Sequence, residues 1–90
     1  MKCISVYTND FAIFSDIYEE ILQTPLQEGE ERELQGVVFS DSGEIDELYV
    51  NRLKQKADVV VMKVKDTNIT ILQHGDVFEI CIPEMEVLIH

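Results

Sequence analysis

Over residues 2–24 the apolar positions change their spacing once, from every second residue to every third or fourth. Ile4 and Val6 lie on one side of an alternating run and Cys3, Ser5 and Tyr7 on the other, which is a strand. Thr8-Asn9-Asp10 then offers side-chain oxygens to the free amides of a helix start. Phe11, Phe14, Tyr18, Ile21 and Leu22 follow at helical spacing, with Ile13 and Ile17 widening the stripe. Pro25 pushes Thr24 out of helical geometry. A strand followed by a helix over residues 10–23 opens the chain.

Gln27-Glu28-Gly29-Glu30-Glu31 is a polar connector. Alternation resumes over residues 32–39 and predicts a second strand, in which Gly36 marks a bulge or a close backbone approach. Ser40-Asp41-Ser42-Gly43 ends it as a loop. Ile45, Leu48, Tyr49 and Leu53 form the stripe of a second helix over residues 45–56. Three strands close the chain over residues 59–65, 69–73 and 77–82, separated by Asp66-Thr67-Asn68 and His74-Gly75-Asp76. Pro83 ends the last.

Ninety residues suffice for one core, so residues 1–90 are expected to form a single domain. The order is strand-helix-strand-helix-strand-strand-strand. A strand–helix–strand unit favours a parallel pair with a right-handed crossover, whereas closing hairpins must be antiparallel. The expectation is an α+β fold: a two-layer mixed β-sheet with two helices on one face. The element order of the first half resembles the thioredoxin and glutaredoxin fold. That fold carries a redox cysteine pair after its first strand, where this chain reads Thr8-Asn9-Asp10-Phe11-Ala12. It also carries a proline before its third strand, where Ala57-Asp58 stands here. The resemblance therefore covers element order and implies no thiol–disulfide chemistry.

The formal net charge is −11, and its placement is uneven: residues 1–51 hold twelve acids against only Lys2 and Arg32. Such a surface repels phosphate backbones and anionic headgroups, so neither nucleic acid nor membrane is an expected partner. The basic residues from Arg52 to Lys65 are read as balancing neighbouring acids. Two cysteines 78 positions apart make no disulfide framework. Met1-Lys2-Cys3 runs straight into a strand without a signal-peptide core. A cytoplasmic location is expected.

Motifs for chemistry fail on inspection. With Gly43 set at the invariant glycine of a calcium loop, Val38 and Tyr49 fall where the first and last carboxylates belong. Residues 40–44 then read as a loop in which Asp41 and Glu44 cap the second helix. Cys3, His74, Cys81 and His90 lack the close pairing of a zinc site. The four glycines never cluster into a phosphate cradle. His74 reads as a solvated turn residue, and the cysteines as unreactive strand residues. No cofactor, metal or catalytic set is expected.

No activity is assignable from these residues. The leading expectation is a small acidic non-catalytic protein-interaction or regulatory module whose partner is itself or another protein, a homodimer being one form. Its positive support is the tail, where Val87, Leu88 and Ile89 follow Pro83 and need cover. The alternative is a small enzyme or small-ligand binder using two strand-end loops, Thr8-Asn9-Asp10 and Ser40-Asp41-Ser42, because ligands often bind beyond the carboxyl ends of parallel strands.

Overall fold

The computed structural model describes residues 1–83. Eight elements follow one another: β1 (Lys2–Val6), α1 (Phe11–Gln23), β2 (Glu31–Leu34), β3 (Val37–Glu44), α2 (Glu47–Lys54), β4 (Val60–Lys63), β5 (Thr70–His74) and β6 (Val77–Ile82). The class is α+β, and the order is the expected one with a strand added. The six strands form one sheet in the order β2-β3-β1-β6-β5-β4. The apolar tail residues Val87, Leu88 and Ile89 lie outside the described residues.

The added strand corrects the sheet. Where one strand was expected over residues 32–39, Gln35 and Gly36 take φ of 53° and 77° and close a two-residue hairpin that pairs Leu34 with Val37. Positive φ at both central positions is the type I′ turn, whose twist matches that of the flanking strands. The returning strand continues to Glu44, so residues 40–43 belong to β3 and not to a loop. β1 and β2 run in the same direction, as a crossover requires, but β3 lies between them, antiparallel to both. Every adjacent pair is antiparallel, so the expected β1 neighbour running parallel to it is replaced by a hairpin return. The thioredoxin-like order thus ends at order. A short hairpin closes at little entropic cost, which favours the insertion.

The helices also sit differently from expectation, on opposite faces. Cys3, Ile4, Ser5 and Val6 of β1 are all buried, which requires cover on both sides. Ile4, Val6, Phe39, Phe78 and Ile80 join Phe14, Ile17 and Ile21 of α1 in the larger core. Cys3, Leu72 and Cys81 point the other way and join Val50 and Leu53 of α2 in a smaller one. Each central strand carries apolar residues at both parities, so a single helical layer would leave one set in water. The result is three layers.

Local chemistry holds α1 in place. Asp10 is its N-cap, accepting from the amides of Ala12 (2.9 Å) and Ile13 (3.2 Å). Phe14 stacks on Phe78 with ring centroids 4.2 Å apart. At the other end Arg32 donates to the carbonyls of Thr24 (2.8 Å) and Pro25 (3.2 Å) and pairs with Glu20 and Glu30, placing a cation at the negative end of the helix. The buried stripe is rotated from the expected one: Ile17 is fully buried while Phe11 is 58% exposed.

Candidate functional site

α2 does not seal its face of the sheet. A cavity of about 200 Å³ remains between them, lined by side chains from β1, β3, α2, β5 and β6. Strand alternation decides which groups reach it. Ser5 stands opposite Glu79, and Cys3 opposite Cys81, all on the α2 side. Leu72 pairs with Glu79 from the other flank, and His74 ends the same strand before a two-residue turn led by Gly75. Val50, Leu53, Ile45 and Tyr49 supply the apolar wall.

Ser42 arrives by a different device. The register of β3 against β1 passes from Asp41↔Ile4 to Gly43↔Cys3, leaving Ser42 as an extra residue. This is a β-bulge, a feature that redirects side chains; Gly43 takes φ 79° there. The Ser42 hydroxyl lies 2.6 Å from that of Ser5. Ser5 donates to the Glu79 carboxylate at 2.8 and 3.0 Å. A serine has one proton to give, so Ser42 donates to Ser5 and both hydroxyl dipoles are ordered toward Glu79.

The electrostatics follow from burial. Burial raises the Glu79 carboxyl above its usual range, while the Ser5 hydrogen bond and the charge of His74 pull it back. The thiols of Cys3 and Cys81 are 3.6 Å apart, with Cys3 donating. That bond, reinforced by burial and by the charge of Glu79, holds the Cys3 proton far more tightly than an ordinary thiol does. The same bond favours the Cys81 thiolate, helped by Lys54 and the amino terminus and opposed by burial and Glu79.

The residues expected to bind ligand are used otherwise, with one exception. Asp10 is the cap of α1, Thr8 Oγ1 accepts from the Asp10 amide (3.1 Å), and Asn9 donates to Asp76 (3.1 Å). Ser40 sits within β3, opposite Ser5 on one side and Glu31 on the other. Asp41 has a buried side chain that takes the Gly43 amide at 2.7 Å and the Lys2 ammonium at 3.4 Å. It anchors the bulge and does not cap α2, a role that falls to Asp46. Only Ser42 lines the cavity. Because β3 runs antiparallel to β1, residues 40–42 lie beside the middle of β1 and not at its carboxyl end with residues 8–10.

Sequence reasoning did not join Ser5, Glu79 and His74 to the two cysteines. Their signal was parity: Cys3 and Ser5 share one face of the first strand, Glu79 and Cys81 one face of the last. The cysteines meet only if the first and last strands pair on a common face, a condition that the sequence leaves open and the structure meets. His74, expected in a turn, is a half-buried strand end at the cavity.

Among the described residues, no group of three or more His, Cys, Asp or Glu is placed to hold a metal ion. No described helix is long and apolar enough to cross a membrane. The chain matches no protein-family model, no curated protein and no solved structure.

Proposed function

We propose that this chain is a non-catalytic, cytoplasmic binding module whose site is the α2 cavity and whose ligand is a small organic cation with an apolar body. The observation that carries the reading is Glu79, an ionisable group placed by the fold in a largely apolar cleft. A carboxylate there costs desolvation and is useful when a cation or hydrogen-bond donor meets it. Ser5 and Ser42 orient it, and Val50, Leu53, Leu72 and Tyr49 suit a hydrocarbon body. A cavity of about 150 Å³ accepts benzene, so about 200 Å³ suits a molecule slightly larger. The net charge of −11 attracts cations over distance and disfavours nucleic acid and anionic membranes. Nucleophilic chemistry at Ser5 has little support, since its partner is a carboxylate and not an imidazole.

The test is amide chemical-shift titration with benzylamine, benzyl alcohol and benzoate, three molecules of like shape and different head. Benzylamine should bind saturably, with shifts at Ser5, Tyr49, Leu53 and Glu79, and at least tenfold tighter than benzoate. Glu79→Gln should remove that preference. Equal binding of benzoate, or no binding of benzylamine, refutes the reading.

A second reading, a protein-interaction module with the homodimer as its simplest form, draws support from β4. It is an edge strand with Val60 and Val61 exposed, and such an edge can accept another strand. Sedimentation equilibrium over a wide concentration range tests the homodimer, and a strict monomer removes it.

A further inference from the structure

We propose that Cys3 and Cys81 are a reversible dithiol site, oxidised to an intramolecular disulfide by a small hydroperoxide that enters through the α2 cavity. The pairing is set by the sheet. The two residues stand directly opposite in adjacent antiparallel strands, where Cα atoms are about 4.5–5.5 Å apart, inside the roughly 4.4–6.8 Å that a disulfide spans. Their sulfurs are already 3.6 Å apart and need to close to about 2.05 Å.

Access selects the oxidant. Cys3 is 3% and Cys81 1% exposed, so a protein thiol or a bulky disulfide cannot reach either sulfur from the surface. Both nevertheless line the cavity, which admits a molecule of a few atoms. The hydrogen bond between them assigns the roles. Cys3 donates its proton toward Cys81, which favours the Cys81 thiolate as nucleophile and leaves Cys3 as the resolving thiol.

The steps balance with hydrogen peroxide as the oxidant. The Cys81 thiolate attacks one peroxide oxygen and the O–O bond breaks. The products are a sulfenic acid on Cys81 and hydroxide, which takes up the proton that Cys81 gave to solvent and leaves as water. The Cys3 sulfur then displaces the sulfenic hydroxyl, forming the S–S bond. Its proton leaves with that hydroxyl as a second water. Two thiols and one peroxide give one disulfide and two waters. The disulfide is expected to be easily reduced, because β-carbons of directly paired residues stand about 4.5–5.5 Å apart against roughly 3.5–4.5 Å in a relaxed bridge. Strained bridges are the labile ones.

Oxidation of the full chain by equimolar hydrogen peroxide, followed by intact mass, tests the site. The expected product is a monomer lighter by two hydrogens, restored by dithiothreitol and formed at least tenfold faster in the folded chain than in denaturant. Ellman's reagent, a bulky aryl disulfide, should leave the folded thiols untouched. Cys3→Ser should stop at a sulfenic acid on Cys81, read as the gain of one oxygen in the intact mass, whereas Cys81→Ser should resist the same dose. Disulfide-linked dimers, equal rates folded and unfolded, or inert wild-type thiols overturn the proposal. The site does not depend on the ligand reading, but the two share the cavity, so saturating benzylamine should slow oxidation severalfold. Rapid oxidation unaffected by benzylamine overturns the shared path and leaves the dithiol standing. Inert thiols beside saturable benzylamine binding overturn the dithiol and leave the ligand site standing.

Discussion

Removing the Ser5 hydroxyl is the sharpest probe of the polar cluster. Ser5 is 4% exposed and donates to a carboxylate that burial already disfavours. A hydrogen bond to a charged group contributes about 1.5–3 kcal/mol, a neutral one about 0.5–1.5. Ser5→Ala should therefore cost about 1.5–3 kcal/mol where Glu79 is ionised, and less where it is protonated. In a domain of this size, each kcal/mol lowers Tm by roughly 4–8 °C. The sign with pH follows from linkage. The Ser5 bond favours the ionised form, so its loss raises the Glu79 carboxyl further. The extra cost then appears as pH rises through the folded carboxyl value and vanishes below the ordinary carboxylate range. Urea unfolding of wild type, Ser5→Ala, Glu79→Gln and the double variant, over a pH series from about 4 upward, measures this. Because the glutamine amide oxygen still accepts from Ser5, the cycle isolates the part of the coupling that depends on the carboxylate charge, expected at about 1 kcal/mol where pH lies above the folded carboxyl value of Glu79. A cost independent of pH, or no coupling in the cycle, refutes the geometry.

Other substitutions test the rest. Stability of the wild type should contain a component that falls as pH rises from about 4.3 through the raised value of Glu79, because the native state there holds a proton that the unfolded chain has lost; Glu79→Gln should abolish it in urea unfolding. Val50→Ala should cost about 1–2.5 kcal/mol, from two lost methyl groups and the space left behind, while Leu48→Ala should cost under about 0.5, because Val50 is 1% and Leu48 64% exposed; equal costs would place the wrong face of α2 on the sheet. Gly36→Ala should cost about 1–2 kcal/mol in thermal unfolding, since φ is 77° in open space, where strain and not a clash sets the penalty.

Much of the fold was legible along the chain. β1, α1 and its end before Pro25 are local, set by alternation, by the oxygens of Asp10 and by the proline ring. The last three strands and their turns are local too, because Gly75 and the residues after Lys63 announce reversals. Even the charge layout acts without a fold. The hairpin at Gln35-Gly36 escaped because glutamine rarely opens such a turn, and residues 32–39 alternate smoothly through it. Without that reversal the strand would run parallel to β1 and carry residues 40–42 to the end of the sheet where residues 8–10 lie.

Tertiary structure alone decided the site. Ser5 and Glu79, and likewise Cys3 and Cys81, are separated by more than seventy residues, and each pair is made only because β1 and β6 are neighbours in register. A strand's alternation fixes which residues share a face, but not which other strand lies beside it. That choice belongs to the whole sheet, where covering both faces of β1 set one helix on each side. The face left to the shorter, less apolar helix is the one that kept a cavity, because the eight residues of α2 present too few apolar side chains to fill it.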